Sequence, residues 1–209
     1  MYAANLVNIN HPTVFRTYTS RGSSLNPTIV DTICATIAVH PLFLPVKIGP
    51  RMREQSFTGG ALGANNPTRE LLKEAENIFG KEKRVAQILS IGAGRPRFPL
   101  LDQPTGRVSG ARMVEELALD CEMVAKELSG RLLGIDAYLR LNVDGGLENT
   151  SLNDWTRLGD IESHTAIYFE DIEHTKSLDT SLRCLRQRLS SVTFGQISES
   201  IPKQYFFCL

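Results

Sequence analysis

The chain has 209 residues, of which 42% are hydrophobic, so it is long enough to bury the core of one domain or at most two. Lysine plus arginine and aspartate plus glutamate each number 23, and this balance leaves no basic stripe of the kind that binds nucleic acid. No apolar run approaches the roughly 18 residues that a membrane-spanning helix needs. The four cysteines lack C-x-x-C spacing and the N-terminus lacks a signal-peptide pattern, so we expect free thiols and a cytoplasmic protein.

The chain begins with two predicted strands, over residues 2–9 and 13–18, joined by a turn at residues 10–12. Asn26 and Pro27 then have the residue types of a helix cap and of a first helical position. The helix predicted after them places five apolar side chains on one face, which we expect to point inward: Ile29, Val30, Ile33, Cys34 and Ile37.

A glycine-rich run over residues 57–67 is the first candidate site. It holds three glycines and two asparagines, Gly59, Gly60, Gly63, Asn65 and Asn66. Glycine suits a tight turn, either asparagine can cap a helix, and Pro67 suits the first helical position. The spacing predicts a helix over residues 68–79, ended by Gly80. An ordered loop that leads into a helix is a common place for a site, and a purely structural turn is the alternative.

The second half alternates strands and helices. Residues 85–91 are typical of a buried parallel strand, and residues 135–143 alternate as a half-exposed strand does. Helices are predicted over residues 112–128, 160–174 and 178–190. This order indicates an α/β protein.

Gly92-Ala-Gly94 resembles part of a dinucleotide-binding motif. Arg97 stands where the third glycine of G-x-G-x-x-G belongs, and Pro96 and Pro99 prevent an immediate helix. Nucleotide binding is therefore an alternative that the sequence supports only weakly.

Several segments, in this order, resemble the patatin-like phospholipases: residues 15–18, 36–43, 59–67, 69–75, 88–94, 139–143 and 158–165. The resemblance implies a partial three-layer α/β fold, with a mostly parallel sheet flanked by helices. It covers only the back part of that domain, so we expect a single incomplete domain over residues 1–209, with regions 1–95 and 96–209. It further implies a relation to serine-type lipid acyl hydrolases, lipid or a membrane-surface acyl ester as partner, and no cofactor or metal.

The chain departs from this family at each catalytic point. No serine stands in a G-x-S-x-G motif, so the front part with the nucleophile elbow is missing, and the resemblance places Gly59 where the family has its aspartate. Asp144-Gly145-Gly146 looks like the lost aspartate motif, but it follows a strand and precedes no Asn-Asn-Pro, so we interpret it as a turn. We therefore expect no catalytic residue and only a remnant loop.

Two further hypotheses stay open. Upstream residues or another chain could supply the nucleophile. His40 and His164 are then the only candidate bases by residue type, although nothing in the sequence places them at the site. The chain could instead be a non-enzymatic interaction or lipid-binding module. If the front of the sheet is absent, Ile88 and Ile91 should be thinly covered, which favours self-association.

Overall fold

The computed structural model describes residues 1–19, 25–40, 42–94, 121–147, 150, 153–188 and 192–199. Its described part divides into two compact units, the first ending at Pro67 and the second beginning at Thr68. Both units contain helices and strands, so the prediction of a mixed α/β protein is confirmed. The single incomplete domain stays a prediction.

The first unit contains a four-stranded antiparallel sheet. Its strands are Tyr2–Asn5 (β1), Asn8–Val14 (β2), Val46–Ile48 (β3) and Gln55–Gly59 (β4), in the order β2-β1-β4-β3 across the sheet. A helix, Ile29–Ile37 (α1), packs against β1, β3 and β4. A small apolar core is buried in this unit, formed by Ala3, Phe15, Ala35, Ile48 and Phe57. The two aromatic rings of that core meet edge to face, with their centroids 5.3 Å apart.

The turn between β1 and β2 lies at Leu6 and Val7, so the predicted turn at residues 10–12 is wrong. The side-chain oxygen of Asn5 accepts a hydrogen bond from the backbone N–H of Val7 at 2.9 Å, which closes this turn. Pro12 lies inside β2. An edge strand tolerates proline because one row of its backbone N–H groups has no ladder partner.

Helix α1 starts at a capping box centred on Thr28, and not at the predicted cap Asn26. The Thr28 hydroxyl accepts a hydrogen bond from the backbone N–H of Asp31 at 3.1 Å. The Asp31 carboxylate accepts one from the backbone N–H of Thr28 at 3.2 Å, so each residue satisfies a donor of the other.

The apolar face predicted to point inward from α1 is exposed. Ile29 and Val30 are 74% and 68% exposed, and Ile33, Cys34 and Ile37 are exposed as well. The buried residues of the helix are the small Thr32 and Ala35. Small side chains let a helix approach a sheet closely, and the bulky face is then left outward.

The second unit begins with the helix Thr68–Phe79 (α3), which follows the short helix Ala61–Ala64 (α2) at the end of the first unit. The bounds of α3 are those predicted. Gly80 follows with a φ of 83°, and its N–H donates to the carbonyl oxygen of Glu76 at 2.8 Å, as a glycine helix end does. The buried residues of this helix are Thr68 and Leu72.

Two short strand pairs lie in the second unit. Ile88–Ile91 (β6) pairs in parallel with Tyr138–Leu141 (β7), as expected for strands joined through a helix. Arg84–Val85 (β5) pairs antiparallel with Val192–Thr193 (β8). Because all the other pairings among the described residues are antiparallel, the prediction of a mostly parallel sheet is wrong for this part of the chain. The connections from β1 to β2 and from β3 to β4 are short, and such connections permit only antiparallel neighbours.

The remaining helices are Glu122–Arg131 (α4), Leu158–Glu170 (α5), Ile172–Gln187 (α6) and Phe194–Glu199 (α7), with a 3-10 turn at Trp155–Arg157. Both late helices exist, but their boundary lies at Asp171, whose carboxylate accepts the N–H of Glu173 at 2.7 Å and caps α6. The first part of the helix predicted over residues 112–128 lies outside the described residues. The apolar C-terminal segment 201–209 lies entirely outside them.

A second apolar core lies within the second unit and consists of Leu72, Val85, Ile88, Leu128, Leu132, Ala137, Val192 and Ile197. Ile88 is 6% exposed, so the prediction of thin cover is wrong for it. Ile91 is 72% exposed, and there the prediction is confirmed.

Candidate functional site

The glycine-rich loop begins where β4 ends and is tied to the end of α1. The N–H of Gly59 donates to the carbonyl oxygen of Ala38 at 2.9 Å, and the N–H of Gly60 donates to that of Thr36 at 3.2 Å. The hydroxyl of Thr58 donates to the same Ala38 oxygen at 2.7 Å. These bonds hold the end of β4 against the chain that leaves α1.

Gly59 and Gly60 leave no room for a side chain. A Cβ on Gly59 would lie 2.6 Å from Cγ2 of Val39 and 3.4 Å from the carbonyl oxygen of Thr36. A Cβ on Gly60 would lie 2.5 Å from the carbonyl oxygen of Tyr2. Carbon atoms in proteins do not approach so closely, because interiors are already close-packed. The space beside Gly59, the position that the resemblance assigns to the aspartate, is therefore filled by residues 36–39 of the same polypeptide.

The rest of the loop keeps its turn geometry. Gly63 has a φ of 79°, a conformation that favours glycine. Asn66 is buried and Asn65 is exposed, and each of them takes part in an interaction. Helix α3 starts at Thr68, as the predicted bounds have it. Pro67, whose residue type suits the first helical position, therefore lies one residue before the helix, which is within the usual uncertainty of a helix end.

None of the side chains of the loop itself, residues 57–67, is a base near neutral pH. The hydroxyl of Thr58 is committed to the Ala38 carbonyl, and a hydroxyl does not take a proton near neutral pH. His40 is exposed in the segment after α1, and His164 belongs to the second unit. The loop can position backbone, but it has no group that would activate a nucleophile.

A second candidate is a buried polar network at the carboxyl ends of the parallel strands β6 and β7, where ligands of α/β proteins often bind. The hydroxyl of Ser90 accepts a hydrogen bond from Nη1 of Arg140 at 3.0 Å and lies 2.9 Å from the hydroxyl of Thr68. Nη2 of Arg140 lies 3.7 Å from a carboxylate oxygen of Glu122. The side-chain N–H of Asn142 donates to that same oxygen at 2.7 Å.

This network holds the turn at Gly92 and Gly94. The N–H of Gly94 donates to Oδ1 of Asn142 at 2.8 Å, and the N–H of Gly92 donates to the carbonyl oxygen of Leu141 at 2.7 Å. A Cβ on Gly92 would collide with the side chains of Asn142 and Arg140. Because the backbone donors of both glycines are used within the protein, they are not free to bind a phosphate. This argues against nucleotide binding here.

Cys121 lies beside this network and is not an activated thiol. Its Sγ is 3.6 Å from a Glu122 oxygen and 3.8 Å from Nδ2 of Asn142. Burial, and after it the negative charge of Glu122, raise the pKa of Cys121 above its ordinary value of 9.0. A thiol of raised pKa stays protonated and is a poor nucleophile.

Sequence reasoning missed this network. The alternation over residues 135–143 places Arg140 and Asn142 on the polar side of a half-exposed strand, the side expected to face solvent. Asn142 is nevertheless only 4% exposed. The available signal was the presence of polar side chains near the ends of two predicted strands, residues 85–91 and 135–143, of which the first was expected to be parallel. Such side chains meet at one edge of a sheet.

The Asp144-Gly145-Gly146 segment is a turn after β7, as predicted. Asp144 is exposed, and Gly146 has a φ of 84° with the ring of His164 packed where its side chain would be. His164 therefore has a packing role here.

A small cleft in the second unit has a volume of about 230 Å³ and is lined by Gln87, Asp136, Tyr138, Leu139, Lys176, Ser177, Thr180 and Ser181. Ligand pockets generally exceed about 300 Å³ and are largely apolar. This cleft is smaller, and its lining surface is as much polar as apolar, so it gives no indication of a ligand.

Comparison of the chain with family models, with curated proteins and with solved structures gives no match. Within the part of the chain that the structure describes, no three metal-ligating side chains gather into a metal site. In that same part, no helix has both the length and the apolar character to cross a membrane.

Proposed function

We propose that this chain is a patatin-like domain that does not hydrolyse lipid acyl esters and serves in lipid metabolism as a non-catalytic, lipid-binding or interaction module. One observation carries the proposal, namely that Val39 fills the space beside Gly59, the position that the resemblance assigns to the catalytic aspartate. The remaining loop, with Gly60, Gly63, Asn65 and Asn66, would then act only as a backbone turn. Among the described residues, Cys34, Cys121 and Cys184 form no disulfide, which favours a reducing compartment, and we propose the cytoplasm.

The exposed face of α1 supports an interaction role. Ile29, Val30, Ile33 and Ile37 form an apolar strip on one helix, and contiguous apolar surface of this kind marks sites of contact. The bulky residues lie outward while Thr32 and Ala35 are buried. This arrangement favours association with another surface, including a second copy of the chain.

The hydrolase alternative requires a nucleophile that upstream residues or another chain would supply. A G-x-S-x-G motif in the reading frame upstream of Met1 would favour it. Even then Gly59 would supply no carboxylate, so another base would be needed.

The proposal is tested by incubating the full chain with a phosphatidylcholine and measuring released fatty acid by mass spectrometry. We expect release no faster than with the heat-denatured chain. A release that rises in proportion to native protein and saturates with substrate would overturn the proposal.

A further inference from the structure

The loop between β3 and β4, residues 49–54, ends in a closed turn with a methionine at its apex. The N–H of Arg53 donates to the carbonyl oxygen of Pro50 at 2.9 Å, which defines a four-residue turn. Met52 is the third residue of this turn, and its side chain is 95% exposed. We call residues 49–54 the β3–β4 loop.

Met52 has a backbone conformation that its residue type does not favour. Its φ is 70°, whereas glycine or asparagine normally occupies a turn position of positive φ. Gly49 holds the base of the loop, because a Cβ there would lie 3.0 Å from the carbonyl oxygen of Arg53. The loop is therefore tightly built, and it displays an unbranched apolar side chain at a site where turn chemistry alone would favour glycine. Strained residues of this kind concentrate where a protein binds something.

Basic side chains surround the apex. Arg51 and Arg53 flank Met52, and Lys47 is exposed on the edge strand β3. Within the described ranges none of the three forms an ion pair, and Glu54 is the only acidic residue between positions 42 and 55. The chain as a whole is neutral, so this segment is a local concentration of positive charge.

Further apolar side chains precede the strand. Leu44 is 82% exposed and Phe43 is 54% exposed, whereas Ile48, further along β3, is buried in the core of the first unit. Strand β3 is therefore anchored in the core by Ile48 and has exposed apolar side chains before it and, at Met52, after it. The three basic residues lie within the same segment, Lys47 on the strand and Arg51 and Arg53 on either side of Met52.

We propose that this edge, from Leu44 to Arg53, docks the first unit on an anionic lipid membrane. Met52 enters the boundary between headgroups and acyl chains, while Arg51, Arg53 and Lys47 contact lipid phosphate and carboxylate groups. The apolar apex favours a membrane over a dissolved polyanion, because a polyanion in solution offers the exposed Met52 side chain no apolar region to enter. This inference rests on the lipid-binding part of the proposed function and names its surface. Failure of membrane binding would leave the predicted lack of hydrolysis unaffected.

The test is co-sedimentation of the full chain with phosphatidylcholine vesicles that contain or lack phosphatidylserine. We expect binding only when phosphatidylserine is present, and loss of binding at high salt. The R51Q/R53Q variant should bind roughly 25-fold more weakly, at about fivefold for each arginine. The M52G variant should bind about tenfold more weakly because it loses the inserted side chain.

The M52G variant also separates docking from folding. Glycine suits a φ of 70°, so its urea midpoint should equal or exceed that of the parent chain. A K126Q/R183Q variant removes the same charge from exposed positions of the second unit and should bind vesicles as the parent does. Equal binding to neutral vesicles, or equal weakening in K126Q/R183Q, would overturn the proposal. Binding to soluble polyphosphate that matches vesicle binding and does not depend on Met52 would also overturn it, and would assign the surface to a soluble polyanion.

Discussion

Cγ2 of Val39 occupies the space in which a side chain on Gly59 would begin, 2.6 Å from the position of an ideal Cβ. Backbone bonds to Ala38 and Thr36 fix the two segments against each other at this point. A reacting carboxylate would need both space and freedom to reach a nucleophile, and this packing gives neither. The relation between these two residues is the observation on which our proposal of a domain without hydrolase activity rests.

The contact makes Gly59→Ala destabilising. We expect a loss of about 1–3 kcal/mol in the free energy of unfolding, because one added methyl group overpacks a filled site. Urea denaturation measures it. The Val39→Ala variant removes the obstructing Cγ2, so Gly59→Ala should cost less in that background, with a coupling energy of at least about 0.5 kcal/mol in the double-mutant cycle. Additive effects would contradict the contact.

The capping box at Thr28 predicts a clear difference between two neighbouring polar residues. Thr28→Ala should lower the free energy of unfolding by about 1 kcal/mol, because the backbone N–H of Asp31 loses its acceptor. Asn26→Ala, at the cap that the sequence suggested, should change it by less than about 0.5 kcal/mol. Equal effects of the two substitutions in urea denaturation would show that the capping box is not what starts α1.

Asn142 links Glu122 to the turn at Gly94, and its loss should be costly. Asn142→Ala leaves a carboxylate oxygen and a backbone N–H without this partner, so we expect a loss of about 1–3 kcal/mol. Asn77→Ala, at an exposed position of α3, is the matched control and should be near neutral. A loss below about 0.5 kcal/mol for Asn142→Ala would mean that water replaces the network without penalty.

Burial of Cys121 gives a stability change at alkaline pH. The folded pKa is raised, so the native state keeps this proton at pH values where the unfolded chain releases it. Stability from this group is therefore constant below the ordinary pKa of 9.0 and falls as the pH rises above it. Urea midpoints measured between neutral pH and strongly alkaline pH should fall less steeply in Cys121→Ala than in the parent chain.

The exposed Cys34 provides the control for this pH dependence. Cys34→Ala should leave the slope of stability against pH unchanged. If Cys34→Ala flattened the slope as much as Cys121→Ala did, burial of Cys121 would not be its cause.

Local pattern predicted the elements whose ends are marked by special residues. Helix α3 matches its predicted bounds because Pro67 and Gly80 mark its two ends and its apolar period is strong. Asp171 marks the break between the last two long helices, although the sequence placed that break later. In these cases the decisive interactions are made within a few residues along the chain.

Contacts between distant residues could not be predicted in this way. Periodicity shows which residues of α1 share a face, but only the strands beside it determine that Thr32 and Ala35 are the buried ones. The family resemblance pointed to Gly59, yet it could not show that Val39, twenty positions earlier, closes the space. The network around Arg140 likewise depends on pairing of β6 with β7, which are separated by nearly fifty positions.

The most direct test of the account is the steady-state rate at which the full chain hydrolyses 4-nitrophenyl butyrate. It should be measured beside the Gly59→Asp/Val39→Ala variant, which restores a carboxylate and makes room for it. The account predicts the background rate for both proteins, because neither has an activated nucleophile. A saturable rate above background that follows the native parent chain through purification would contradict it.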